Sequence, residues 1–306
     1  MDSMELANYL EKVRYGRKIS QERFVEGICS LRQYQRYRSG ECEVPVEKIE
    51  MFAVKLNIPR QKLLNEFEKE KNQQNLLIDE FYNAVVNQNR ELIETLKKKI
   101  KKDIIIEEEN KVYYHHALIR DDYLTNRITD AAALSKTKVL INFPNVLKNH
   151  YFTDIEILIL SSMLNMLTGK EHLKLLERLS NLFDTEENIL SAGNHKIYSL
   201  ILMRLAKASG MVDDYERVIK LCDLAIAKGV LIKQFYLMEN FYYYKALSHY
   251  YLEEFMAYED SLFKCYNVLQ LEGNTQKIDK FTERIESDFK INFTLFIINY
   301  LKKTYI

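Results

Sequence analysis

The chain has 306 residues with 44 basic and 44 acidic side chains, and at 47% hydrophobic it can bury a substantial core across more than one folding unit. With 8 Gly and 3 Pro it holds few turn formers for the many short strands of a sandwich or barrel, so the expected class is all-α. No charged leader followed by an apolar segment opens the chain, and its most apolar stretch, "TDIEILILSSMLNMLTG", is broken by Asp154, Glu156 and Asn165. A soluble, cytoplasmic protein with no membrane span is expected.

The first sixty-odd residues read as short helices. "MELANYLEKVRYGRK" keeps Leu6, Leu10 and Val13 on one face. Ser20 then caps a second helix in which Phe24, Val25 and Ile28 turn inward, and Ser30 caps a third. In that third helix Leu31, Tyr34 and Tyr37 recur at spacing three and are expected to face the core, leaving Arg32, Gln33, Gln35 and Arg36 outward. Gly40 ends it. A fourth helix opens at Pro45 with Ile49, Phe52, Ala53 and Leu56 inward, and a fifth follows Pro59 with Leu63 and Leu64. This is the layout of a helix-turn-helix domain, expected over residues 1–66. Because "LLNEFEKEKNQQNLLIDEFYNAVV" carries no Gly or Pro, residues 67–90 are expected to form a linker helix into a second domain, 67–306.

"SQERFVEGICSLRQYQRYRSGE", followed by "VPVEKIEMFAVKLNIPRQKLL", resembles the Xre-type helix-turn-helix of phage repressors and bacterial regulators. A Ser-Gln pair opens the second helix, a Ser-Gly closes the third and a Pro starts the fourth. The short turn "GICS" is similar to that of the peptide-responsive receptors of Gram-positive bacteria, the Rgg, PlcR, PrgX and NprR group. Tyr34 and Tyr37 stand where small aliphatic residues are usual in that pattern, and Arg38 where an acid is common.

Charge agrees with the resemblance. Between Lys12 and Arg38 there are eight basic residues against Glu22 and Glu26, a local excess that whole-chain neutrality hides. In the docking geometry of the motif, the start of the third helix reaches base edges, where Arg forks onto guanine and Gln onto adenine. Arg32 and Gln33 are therefore candidates for readout and Gln21 and Arg36 for phosphate contact, with Ser30 and Gln35 as further candidates on the same DNA-binding face. A single such domain buries too little surface for tight specific binding, so a homodimer on two operator half-sites of double-stranded DNA is expected.

The remaining residues carry helix pairs. "LAKASGMVDDYERVIKLCDLAIAKG" sets Ala206 and Ala208, a turn at Gly210, then Tyr215, Val218 and Ala225 in the pattern of a tetratricopeptide unit, whose small residues let two helices approach closely. "KALSHYYLEEFMAYEDSLFKCYNVL" repeats it with Ala246, Phe255, Tyr258 and Cys265, with the loop near Lys228 to Gln234 extended. "YYHHALIRDDYLTNRITDAAALSKTKVL", "DIEILILSSMLNMLTGKEHLKLLERLSNLF" and "KIDKFTERIESDFKINFTLFIINYLKK" keep the rhythm without the signature residues. The expected architecture is a right-handed superhelical array of such pairs.

In such an array the first helices line a concave groove suited to an extended peptide. The groove-facing candidates are Leu200, Met203 and Lys207 in one unit and Asn240, Tyr243, Leu247 and Tyr250 in the next, with Asn165 upstream. An Asn amide can both donate to and accept from a peptide backbone. Twelve aromatics between Phe235 and Tyr266 are expected to divide between pockets and inter-helix core.

No glycine-rich phosphate loop, HExxH, GxSxG or paired-carboxylate motif is present, so no enzyme, cofactor or metal is expected. His115 and His116 are adjacent and point to different helix faces; Cys29, Cys42, Cys222 and Cys265 form no CxxC pair and read as small apolar residues. "LKKKIKK" before "DIIIEEE" reads as a solvated helix end and an acidic loop. The resemblance implies a DNA-binding transcriptional regulator controlled by a short linear signalling peptide, as in quorum sensing. Two rival readings stand beside it. One is a phage or mobile-element repressor of the same architecture, similar to the arbitrium receptors. The other is a tetratricopeptide adaptor whose helix-turn-helix does not read DNA.

Overall fold

The computed structural model describes residues 3–185, 188–190 and 194–305. Sixteen α-helices fill them, and the only strands among the described residues are β1 (Phe152–Thr153) and β2 (Ile189–Leu190), paired in parallel with Phe152 opposite Ile189. The all-α class holds. The chain divides into two compact units, residues 1–146 and 147–306.

The first unit opens with α1 (Ser3–Gly16), α2 (Gln21–Val25), α3 (Leu31–Arg38) and α4 (Val46–Lys55). Both serine caps form: Ser20 Oγ accepts from the Arg23 amide at 3.3 Å and Ser30 Oγ from the Gln33 amide at 3.1 Å. Each satisfies a helix-end donor that would otherwise lack a partner. Leu6, Leu10, Phe24, Tyr34, Phe52 and Leu56 are fully buried together, and the Phe24 and Phe52 rings stack at 4.9 Å. Each such side chain contributes about 1.5–3 kcal/mol by leaving water. Leu31, expected inward, is instead 38% exposed. It is the first residue of α3, one turn before the packed Tyr34, so the core ends short of it.

Helix α5 (Arg60–Val86) is 27 residues long and serves two cores. Leu63 and Phe67 pack into the helix-turn-helix core, while Ile78, Phe81, Tyr82 and Val85 are buried farther along. There α5 packs on α6 (Arg90–Lys101) and α7 (Glu108–Leu124), and α7 on α8 (Asp130–Leu140). The boundary expected after residue 66 thus falls inside one helix. Gln74 pins the loop between α6 and α7: its Nε2 donates to the Ile104 carbonyl at 2.8 Å and its Oε1 accepts from the Ile106 amide at 2.9 Å. That clamp seats Ile106, fully buried, in the helix-turn-helix core. The acidic end of this loop is not simply solvated. Asp103 accepts from Lys12 at 2.6 Å and Glu107 lies 3.3 Å from Lys71, which also meets Glu5 of α1 at 2.8 Å.

The second unit runs α9 (Asp154–Met163), α10 (Gly169–Thr185), α11 (His195–Gly210), α12 (Tyr215–Leu231), α13 (Met238–Tyr251), α14 (Phe255–Glu272), α15 (Thr275–Phe289) and α16 (Phe293–Tyr305). Successive helices pack most closely as α11 on α12, α12 on α13 and α13 on α14. Ala206, Ala208, Ala225 and Ala246 are buried at those contacts, the role that the repeat pattern gives small residues. Helix α9 is buried almost throughout, as an interior helix should be, and a capping box of Thr153 and Glu156 fixes its start. None of the described helices is long and apolar enough to cross a membrane.

The extended connection after α12 folds back sharply. A Cβ on Gly229 would lie 2.8 Å from the Gln234 carbonyl oxygen and 2.9 Å from Met238 Cε, so only glycine admits this approach. Cys222 and Cys265 are fully buried and their thiols titrate far above the usual range through desolvation, whereas Cys29 and Cys42 are half-buried. No cluster of metal-ligating side chains occurs among the described residues.

Candidate functional site

On α3, burial of Tyr34 and Tyr37 turns the opposite face outward. Arg32, Gln35 and Arg36 are exposed and, with Ser39 and Glu41, line a surface recess of about 580 Å³. Arg32 makes no side-chain hydrogen bond or ion pair with the described residues. Arg36 donates from Nε to Glu41 Oε2 at 3.2 Å across an exposed pair, an interaction worth about 0–1 kcal/mol and readily exchanged for another anion. Ser30 is exposed at the helix start with its hydroxyl in the cap. Gln33 is half-buried, its Nε2 3.0 Å from Cys42 Sγ, so it is less outward than the spacing predicts.

The basic excess around this face is smaller than the count of residues suggests. Lys12 is spent on Glu70 and Asp103, at 2.7 and 2.6 Å, and buried Arg14 on Glu11 at 2.7 Å. Arg38 faces Glu11 at 3.7 Å. Arg17, Lys18, Arg23, Arg32 and Arg36 remain exposed against exposed Glu22 and Glu26. The residue that sequence reading missed is Glu11. It is 6% exposed, and burial pushes its carboxyl up, but hydrogen bonds from Arg14 and Gln21 and the charge of Arg38 outweigh that and leave it below the usual carboxylate range. Gln21 donates to Glu11 Oε1 at 2.7 Å and accepts from Gln35 Nε2 at 2.9 Å, so this candidate links α1 to α3.

In the second unit the candidates separate into two sets. Tyr243 is 1% exposed, its hydroxyl donates to Asp288 and its ring meets Phe281 and Phe289 of α15 at 6.0 and 6.4 Å. Its burial and that bond to a carboxylate hold its hydroxyl well above the usual phenol range. Tyr250 is half-buried, its ring 5.3 Å from Phe289 and 5.4 Å from Tyr258. Leu200 is 3% exposed. Tyr243 and Tyr250 are inter-helix core because α15 covers the tyrosine face of α13, and Leu200 is core on α11. Asn240 and Leu247 on α13 and Met203 on α11 are half-buried, Lys207 is exposed, and α11 packs on α13, so these four lie on neighbouring helices. Asn240 Nδ2 donates to the adjacent Glu239 Oε1 at 2.6 Å, which leaves its carbonyl oxygen available. Asn165 is exposed but sits in the turn after α9, which ends at Met163, rather than on a helix. Arg284, unmarked in the sequence, stacks over the Tyr243 ring at 4.2 Å.

No protein-family model matches the chain, and no curated protein sequence does. Solved structures do match in fold. ComR from S. thermophilus in complex with DNA and its signalling peptide ComS is 14% identical, with 92% of this chain and 99% of that one covered and a TM-score of 0.55. ComR from Streptococcus vestibularis in complex with its cognate signalling peptide XIP is 16% identical over 94% of this chain and 98% of that one, with a TM-score of 0.54. Apo PlcR from Bacillus thuringiensis is 15% identical over 86% of this chain and 94% of that one, with a TM-score of 0.51. The chain has the fold of ComR and PlcR, a helix-turn-helix followed by successive packed helix pairs, and this is the fold of the receptor group that its sequence resembles.

Proposed function

We propose that the protein is a transcriptional regulator that reads double-stranded DNA with α3 and is controlled by a short linear peptide bound by its helix pairs. The observation that carries the reading is the outward face of α3, where Arg32 and Gln35 stand exposed on a capped helix beside Arg36. Arg32, Gln33 and Gln35 face base edges; Gln21, Ser30 and Arg36 face phosphate, with help from the amides at the helix start. The likeness to ComR solved with DNA and ComS supports both halves of the proposal. A homodimer places two such helices on two half-sites.

For the peptide, the proposed contacts are Met203, Lys207, Asn240 and Leu247, with Tyr243 and Tyr250 as the packed floor behind them. Asn240 presents its carbonyl oxygen to a backbone amide, and Lys207 offers a cation to a peptide carboxylate. Because a ligand shifts an equilibrium only through different affinities for two states, the peptide acts by favouring one arrangement of the dimer on DNA. The test is selection of duplexes from a random pool by the purified full chain, repeated in the presence of a pool of short peptides. One enriched motif occurring twice per bound duplex, with peptide-dependent recovery, is the expected result. Recovery without sequence preference would overturn DNA reading and favour an adaptor, and enrichment indifferent to every peptide would overturn peptide control.

A further inference from the structure

We propose that Glu11, buried on α1, sets the hydrogen-bond polarity of the DNA-reading face by acting through Gln21 on Gln35. This rests on the reading of α3 as the helix that meets DNA, and it makes Glu11 a positioning residue rather than a contact.

The carboxylate is met from three helices. Glu11 Oε1 accepts from Arg14 Nη2 and from Gln21 Nε2, each at 2.7 Å, while Oε2 accepts from Arg14 Nε at 2.8 Å and from the Tyr34 hydroxyl at 3.1 Å. Arg38 approaches Oε1 to 3.7 Å, so the cation that departs from the usual Xre pattern finds its counter-charge here. An ionised carboxylate only accepts hydrogen bonds. Gln21 must therefore turn its NH₂ group inward, and its carbonyl oxygen is forced outward. There it accepts from Gln35 Nε2 at 2.9 Å, while Gln35 Oε1 lies 3.5 Å from Arg38 Nη1.

Both ends of the Gln35 amide are thus assigned by one buried charge, and the second N–H of Gln35 is left to face outward. A flipped Gln21 would press its carbonyl against the carboxylate and remove a donor from a buried anion, the more costly arrangement. Gln35 consequently arrives at a base pair already committed as a donor, with its rotamer fixed before DNA is met. Arg14, held by the same carboxylate, donates to the Ile19 carbonyl just ahead of α2, which keeps Gln21 at its station.

The test uses the full chain and duplex selection. Gln35→Ala first identifies the base pair that Gln35 reads, as the position whose preference flattens. Glu11→Gln is isosteric and its amide can donate or accept, so Gln21 is no longer forced one way. It should flatten preference at that same base pair, spare the position read by Arg32, and lower affinity for the wild-type motif about fivefold, the scale of one lost hydrogen bond. The slope of affinity against salt should not flatten, because no phosphate contact is lost and Arg38 is freed of its counter-charge. In a Gln35→Ala background Glu11→Gln should add nothing, the non-additivity of residues acting as one unit. Gln21→Met breaks the relay with Glu11 intact, tolerates its half-exposed position and, if Glu11→Gln does not fold, should flatten the same base pair, beside a loss common to all sequences from the phosphate contact of Gln21. A wild-type profile in Glu11→Gln or Gln21→Met, or additive losses in the double variant, would overturn the proposal. Failure of the wild type itself to select any motif would instead overturn the reading of α3.

Discussion

Replacing Lys277 by Met removes the ammonium that lies 2.8 Å from Glu239 Oε1. Glu239 has no exposed surface, its Oε1 also accepts from Asn240, and its Oε2 has no hydrogen-bond partner among the described residues. Lys277 is thus the counter-charge of a buried anion; burial lowers its pKa, but hydrogen bonds to Glu239 and Glu272 raise it further and leave it above the ordinary lysine value. Breaking a buried pair from one side costs about 3–5 kcal/mol. Lys277 keeps 28% exposure and shares its charge with Glu272, so the lower end, about 3 kcal/mol, applies. For a unit spanning residues 147–306 that loss lowers Tm by about 6–12 °C. Removing both charges in Glu239→Leu/Lys277→Met should recover most of it, since an apolar pair needs no compensation. Thermal and urea melts followed by circular dichroism measure both variants. Wild-type melting of Lys277→Met, or a double variant less stable than the single one, would refute the assignment of Glu239 as a buried charge balanced from α15.

Arg32→Ala should cost about 1–3 kcal/mol on its selected duplex and relax one base position, whereas Arg36→Ala should keep the base profile and flatten the salt slope by about one, as read by fluorescence anisotropy across salt. The stability of the first unit should fall in acid through Glu11. Its folded pKa is depressed relative to an ordinary carboxylate near about 4.3, so its contribution is complete above that value and is lost as pH falls through the folded pKa; Glu11→Gln should melt with a shallower acid dependence, and an unchanged one would discount the carboxylate. Gly229→Ala gains about 1 kcal/mol of helix propensity but drives a Cβ to 2.8 Å from the Gln234 carbonyl, a clash of about 1–3 kcal/mol, so a net loss of up to about 2 kcal/mol is expected in a urea melt and a gain would contradict the close approach.

Most of the first four helices was legible because their signals are local. Ser20 and Ser30 sit within three residues of the amides they cap, and Tyr34 and Tyr37 follow a helical spacing that only one packing face satisfies. The basic patch was overcounted for the opposite reason: Lys12 finds Glu70 and Asp103 at separations of 58 and 91 residues, which no pattern in the sequence announces. The same holds for Tyr243, placed on a groove by the repeat pattern but covered by Phe281 and Phe289 from a helix without signature residues. Asn165 is expected on an upstream helix of the groove, yet α9 stops at Met163 and leaves it in the following turn. Glu11 gave no signal at all, since an acid on an amphipathic helix is ordinarily solvated and its partners Gln21, Tyr34 and Arg38 come from other helices.

The most direct measurement is competition anisotropy of the purified full chain on its selected duplex against a shuffled duplex of equal length, over a range of salt. Reading by α3 requires the selected duplex to bind at least about 10³-fold more tightly, with both affinities falling as salt rises and the ratio collapsing in Arg32→Ala/Gln35→Ala. A ratio near one at every salt concentration, or an undiminished ratio in the double variant, would contradict it.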